Sequence, residues 1–395
     1  MAPSKKPLRV LYYEYPGRGV GGSRWSLVNL LRGLGDRVQP YIAADLPEEV
    51  VRQLPPSATL LPPSSTWMSF HRSPEARSLK TFYWWRYFVT TALHLAGLVR
   101  REGINLVHGN NEVTSNAPAV LAAMLTRRPY VSHLRGTEDP HWETRWLFRH
   151  VSQFIAISEH VRNFYFRQGL LDNIPVAVIY NGLDVDDLAR RSAARAPAPP
   201  GAVHIAMFGR MIEFKGHAYF LEAARHVTNL LPEAQFTVHG PLPQRAEPEG
   251  VYYERVLGQC QEEGLIDRVT FAGPYSDVVA VMGQTDVVLC CSPVDNFGRI
   301  LFEAMACGIP VVAFDAGGIR EVAVPEENCL LVPNRDAEAL AKTVIRLAGD
   351  LALRARLVEG GRETARRLFD SRANAHRVLE IYERLVAGRA ETDAD

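Results

Sequence analysis

The chain has 395 residues, 47% of them apolar and 22% charged. That is an ordinary composition for a folded protein and more chain than one core usually holds, so two domains are expected. Formal charge sums to zero, which excludes a strongly basic chain, and no nucleic-acid partner is expected. The charge is nonetheless uneven: residues 1–200 hold 24 Lys+Arg against 16 Asp+Glu, and residues 201–395 hold 20 against 28. A basic first half suits an acidic partner or an anionic lipid surface, or is incidental scatter of arginine. The longest uncharged apolar run, 87–99, is too short to span a bilayer as a helix. The opening MAPSKKP enters a strand without an apolar signal region. Five cysteines, at 260, 290, 291, 307 and 329, show no CxxC spacing and read as reduced, buried thiols. A cytoplasmic protein is expected, with peripheral contact at the inner face of the membrane as an option.

In chain order, 8–13 (LRVLYY) has the pattern of a buried strand, GRGVGG follows at 17–22, and a helical pattern runs from 23 to 34. With a second strand at 38–43, this is the opening of a doubly wound sheet. Further strands fall at 105–108, 130–133, 153–157 and 176–179, separated by helices at 79–101, 117–125 and 160–168. From 189 to 201 the text becomes ARRSAARAPAPPG, which reads as a linker. Alternation then resumes, with strands at 204–208, 236–239, 269–271, 286–291, 311–314 and 329–332. Helices are expected at 216–231, 252–263, 276–282, 298–306, 337–349, 351–369 and 371–386. The expected fold is α/β, two Rossmann-like domains facing across a cleft. The first covers 1–188, the linker 189–201 and the second domain 202–370. The segment 371–395 is a helix packing back on the first domain, plus a polar tail.

Residues 292–310 (SPVDNFGRILFEAMACGIP) carry the most chemistry. Phe297 and Gly298 sit at a turn into a helix, where unpartnered N–H groups and the helix dipole favour an anion. Glu303, inside that helix, suits hydroxyl donors instead. Phosphate beside sugar hydroxyls is the surface of a nucleotide sugar. Earlier, FGRMIEFKG at 208–216 places Gly209, Arg210 and Lys215 at the C-terminal edge of a strand, where such sheets bind ligands. Two cations there could neutralise a departing diphosphate, or simply be solvated at a loop. The Gly17–Gly22 loop also satisfies G-x-G-x-x-G, but the acidic residue a dinucleotide site wants is only loosely placed, at Asp45. Gly21 and Gly22 are the pair nearest the helix start, hence the expected ligand contacts.

Taken in order, GR-x4-KG, the turn VTFAGPY, D-x-F-G-x4-EAMACGIPVV, Gly317-Gly318 and Glu321 closely resemble the retaining glycosyltransferases of family 4, which have the GT-B fold. The resemblance covers the second half almost continuously. It is looser in the first half, in the Gly-rich loop, the His133 strand and Asn181-Gly182-Leu183-Asp184. It implies a nucleotide-diphosphate sugar as donor, UDP- or GDP-linked, no cofactor and no metal. The acceptor would be a glycan, a lipid-linked molecule or a small molecule. Arg210 and Lys215 would hold the diphosphate. Glu303 would bond the ribose, and the groups from Phe297 through Gly298 and Arg299 to Ile300, with Asn296, would receive phosphate and sugar oxygens. Pro274 and Tyr275 would flank the base, and His133 would lie close to the donor sugar. Asp295 stands where the family has a glutamate near that sugar, one methylene shorter, a departure that points to donor choice. His108 and Arg135 are candidates on the acceptor side.

The helix at 79–101 begins among Phe82, Tyr83, Trp84, Trp85, Tyr87 and Phe88, with Arg72, Arg77, Lys80 and Arg86 nearby. Such a helix can lie in a bilayer interface, or its rings can pack on the first domain. Rival functions are a GT-B nucleotide-sugar epimerase, an NAD(P)-binding oxidoreductase using the Gly17–Gly22 loop, and a nucleotide-sugar sensor without catalysis.

Overall fold

Strands buried on both faces must be apolar along their whole length, and helices that cover them need an apolar stripe. Both patterns organise the computed structural model. It describes residues 6–14, 22–61, 80–140, 144–192, 203–245, 247 and 249–392, and for 80–84 and 390–392 the backbone alone. Two compact units result, one of residues 1–182 with 371–395, the other of residues 183–370.

The first unit runs β1 (Leu8–Tyr13), α1 (Gly22–Leu34), β2 (Val38–Ala43), α2 (Glu48–Val51), β3 (Thr59–Leu60), α3 (Lys80–Arg101), β4 (Leu106–Gly109), α4 (Ala117–Leu125), β5 (Tyr130–Leu134), β6 (Gln153–Ala156), α5 (Glu159–Arg167) and β7 (Val176–Val178). Its sheet is parallel, in the order β3-β2-β1-β4-β5-β6-β7. The order reverses between β1 and β4.

The second unit runs α6 (Val185–Ser192), β8 (His204–Phe208), α7 (His217–Thr228), β9 (Gln235–His239), α8 (Gly250–Glu262), β10 (Val269–Gly273), α9 (Val278–Met282), β11 (Val287–Cys290), α10 (Arg299–Cys307), β12 (Val311–Phe314), β13 (Leu330–Val332), α11 (Ala337–Gly349) and α12 (Leu351–Phe369). Its parallel sheet has the order β10-β9-β8-β11-β12-β13, reversing between β8 and β11.

The units change hands earlier than the sequence suggested. Asp184 Oδ1 accepts a hydrogen bond from the Asp187 N–H at 3.1 Å and so starts α6. Val185 and Leu188 are buried, and Arg191 pairs with Asp277 inside the second unit. Residues 183–192 therefore belong to that unit, and 189–192 are helix where a linker was expected; 193–201 lie outside the described residues. After Asp370 the chain returns to the first unit as α13 (Ser371–Thr392). Ala375, Val378, Leu379, Ile381 and Tyr382 of α13 share a core with Val10, Tyr12, Leu27 and Leu31.

Candidate active site

In the second unit the loops after β8 and β11 flank the reversal point, the usual ligand position in such sheets. One loop brings Lys215 and the other Asp295, and Lys215 Nζ lies 3.2 Å from Asp295 Oδ2. Gly216 permits this approach. Its φ is +79°, and a Cβ would strike the carbonyl oxygen of Cys291. Asp295 Oδ1 accepts the Phe297 N–H at 3.2 Å, and its carbonyl accepts the Gly318 N–H at 3.0 Å. Gly317, at φ +55°, has no room for a Cβ against that same carbonyl. Three loops, after β8, β11 and β12, thus meet at Asp295.

Gly298 caps the start of α10 and offers no side chain to its first-turn N–H groups, while Gly308, at φ +72°, ends the helix as expected. One turn into α10, Glu303 is only 5% exposed. Its Oε1 pairs with Arg299 Nε at 3.1 Å, but Oε2 is buried without a hydrogen-bond partner. Burial pushes this carboxyl above its ordinary pKa, against the pull of Arg299. Tyr275 joins the cluster. Burial pushes its phenol up to about 12, Glu303 adds to the rise, and Arg299, which hydrogen-bonds it, opposes. Its ring stands edge-on to Phe208 at 5.5 Å, and Pro274 beside it is exposed. Asn296 and Ile300 are half-buried around the helix start. Chemically, the cluster offers a cation and helix N–H groups for phosphate, and a carboxylate oxygen for hydroxyl donors.

Not every expected member gathers there. Gly209 donates its N–H to the His239 carbonyl at 2.8 Å. Arg210 is exposed, its guanidinium 3.9 Å from Glu249.

In the first unit His133 sits near the end of β5, 4% exposed. Arg135 Nη2 is 3.5 Å from His133 Nδ1. A guanidinium only donates, so Nδ1 is the acceptor and the ring proton resides on Nε2. That Nε2 is buried without a partner. Burial, then Arg135, then His108 hold the imidazole pKa well below its ordinary value, so His133 is neutral.

Both acceptor-side candidates have partners within the first unit. Arg135 spends its donors internally, on the carbonyl of Asn110 (3.0 Å), on Asn110 Oδ1 (2.7 Å) and on Asn181 Oδ1. His108 is fully buried, its Nδ1 2.6 Å from the hydroxyl of Tyr382. Burial, helped by Arg135, holds its pKa down near 3. Its Nε2 is buried without a partner. Gly22 is the first residue of α1, whereas Gly17, Gly19 and Gly21 lie outside the described residues.

Sequence reasoning missed two buried carboxylates at the same sheet edge. Glu14, following β1, accepts from Ser23 Oγ and from Asn110 Nδ2, each at 2.8 Å. Glu112, following β4, accepts the Arg135 N–H at 3.1 Å. Their signal was available, since each is a polar residue just past an apolar strand. Among the described residues no group of three His, Cys, Asp or Glu could hold a metal ion.

Two family models match in tandem and between them span most of the chain. Glycosyltransferase Family 4 covers residues 20–187 and Glycosyl transferases group 1 covers residues 191–364. The chain belongs to the GT-B group 1 glycosyltransferases. Within this family it is 31% identical, over 73% of its length and 66% of the relative's, to the D-inositol 3-phosphate glycosyltransferase of Saccharomonospora viridis. The matched region spans 58% to 66% of the length of the first curated relatives. The glycosyltransferase fold is shared with a Rickettsia africae glycosyltransferase at TM-score 0.76, 20% identity and coverage of 97% of this chain and 99% of that one. Anabaena HepE, crystallised with UDP, superposes at TM-score 0.74 with 20% identity, covering 95% and 100%. Neither the epimerase nor the oxidoreductase finds support in these relationships.

Proposed function

We propose that this protein transfers a hexosyl or related sugar from a nucleoside-diphosphate sugar to an acceptor hydroxyl, without a metal and with retention of anomeric configuration. The observation that carries this reading is Glu303. A buried carboxylate with one oxygen unpartnered, in a helix whose start faces Lys215 and Asp295, suits ribose hydroxyls beside phosphates. Lys215 and the first-turn N–H groups of α10 would stabilise charge growing on the leaving phosphate, with Arg210 as second cation once turned inward. The sugar's bond to the phosphate oxygen breaks, the acceptor oxygen bonds the same carbon from the face vacated, and the acceptor proton passes to the phosphate. His133, neutral with its proton on the buried, unpartnered Nε2, would donate a hydrogen bond to the donor sugar. UDP is favoured as the nucleotide by its presence in the HepE complex. A calorimetric screen of UDP, GDP and their sugars, followed by donor hydrolysis or transfer by purified protein, tests the reading. Failure to bind any nucleoside diphosphate would sink it.

The acceptor is proposed to be a glycan, a lipid-linked molecule or a small molecule, met by the first unit. A lipid-linked one is favoured by α3. Tyr87 and Phe88 pack inside, but Trp85, Val89 and Leu93 are exposed at i, i+4 and i+8. Arg86, Arg100 and Arg101 are exposed on the same helix, which carries no acidic residue. The expected contacts of Phe82, Tyr83, Trp84, Arg72, Arg77 and Lys80 lie outside the described residues. No described helix is long and apolar enough to cross a membrane; this surface suits peripheral contact with anionic lipid, at the cytoplasmic face. Sedimentation with anionic vesicles in low salt should carry the protein down, and Leu93→Ser should weaken that. Protein left in the supernatant at low salt rules the contact out.

A further inference from the structure

Both oxygens of Asp295 already hold a donor. Oδ2 has Lys215 Nζ at 3.2 Å and Oδ1 has the N–H of Phe297 at 3.2 Å. This is the reverse of Glu303, where one oxygen is left over. Asp295 instead occupies the cation and one of the helix-start N–H groups that the donor reading gives to phosphate. Carboxylate and phosphate oxygens compete for the same charged and backbone donors. Nor can the carboxylate swing far from the site, because its own backbone is tied down by the Gly318 N–H and walled in by Gly317.

We propose that Asp295 is a built-in stand-in for the donor diphosphate, holding Lys215 and the Phe297 N–H in the ligand-free chain. Phosphate takes these donors over on binding, and Asp295 reclaims Lys215 when nucleoside diphosphate leaves. The proposal rests on the donor-site reading above. Its role in the free chain is to preset Lys215 and to oppose overtight product binding. One methylene less than the family's glutamate would then set how well the stand-in competes.

The test is calorimetric titration of UDP and GDP into the wild type, Asp295→Asn, Lys215→Ala and the double variant. Asp295→Asn keeps the shape and an acceptor for the Phe297 N–H but removes the competing charge. A unit charge removed beside a partly buried diphosphate should tighten nucleoside-diphosphate binding about tenfold. The gain should vanish in the Lys215→Ala background, since the contest is over Lys215. Asp295→Ser, neutral and still an acceptor, should reproduce the gain if the Asn variant melts early. Unchanged or weaker binding by both neutral variants overturns the proposal, as does an equal gain without Lys215. Loss of affinity for nucleotide sugar alone would return Asp295 to the sugar. Wild-type protein that binds neither diphosphate refutes the donor reading itself, a result distinct from all of these.

Discussion

Replacing Glu303 by Gln should separate stability from ligand binding. In the folded chain this carboxylate is buried, one oxygen is matched by Arg299 at 3.1 Å, and the other has no partner. Its raised pKa means the folded state disfavours the charged form. A carboxyl raised in this way weakens the fold as pH climbs from its unfolded value through its folded one. Its contribution is best at acid pH and lost toward neutrality. Gln removes that slope, so stability at pH 7 should hold or rise by about 1 kcal/mol. Binding should move the other way. Hydrogen bonds to a charged partner contribute about 1.5–3 kcal/mol each, neutral ones about 1, so the nucleoside diphosphate should bind about tenfold more weakly. Thermal melts from pH 5 to 8 and calorimetry with the bound nucleoside diphosphate read the two effects. Undiminished affinity in the Gln variant would refute the ribose assignment, and a large drop in melting temperature would show that Arg299 needs the charge for folding.

Glu112 offers a second pH test. Burial first, then Glu138, push its carboxyl from 4.5 to about 7. Its contribution to stability is therefore full below the unfolded value and falls by about 3 kcal/mol as pH rises through 7. Glu112→Gln should flatten the wild-type loss of melting temperature over that range, and parallel profiles would contradict the assignment. Gly317→Ala should cost more than about 2 kcal/mol, since its φ is +55° and a Cβ has no room against the Asp295 carbonyl. Weaker nucleoside-diphosphate binding should accompany that loss, and an Ala variant with wild-type melting and affinity would show the loop can yield.

The fold was legible because its strands announce themselves. VLYY at 10–13 and VVLCC at 287–291 are continuous apolar runs, as sheets covered on both faces require. Gly308 ended α10 where a left-handed residue had to fall. The short α6 was hidden because Ala and Arg repeat without an apolar period around it, and only tertiary burial of Val185 and Leu188 shows its apolar face. The site was legible as a list and less so as a set of partners. Motif position put Asp295 near Glu303, but its two donors come from Lys215, 80 residues earlier, and from its own turn. His108 looked like a cleft residue because nothing local reveals Tyr382, 274 residues away, resting on its ring nitrogen.

Each unit keeps buried polar atoms without a partner, Glu303 Oε2 and both ring nitrogens of His217 among them in one, His133 Nε2 and His108 Nε2 among them in the other. An unpaired buried group costs a fold about 1–3 kcal/mol, and such a cost points to a ligand that removes it. Glu303 Oε2 and His133 Nε2 call for different chemistry. Glu303, beside the phosphate donors, wants hydroxyls and is answered by the nucleoside. His133 presents an N–H and wants an acceptor oxygen, which the proposed mechanism finds on the transferred sugar. Nucleoside diphosphate alone should therefore be indifferent to His133→Phe, while the matching nucleotide sugar should lose about tenfold in affinity, the value of one buried hydrogen bond left unmade. Because burial and Arg135 keep His133 neutral, that loss should be the same at pH 6 and pH 8. Equal weakening of diphosphate and nucleotide sugar would place His133 on the nucleotide. A loss that appears only at acid pH would mean the imidazole acts as a cation, against the tautomer that Arg135 imposes.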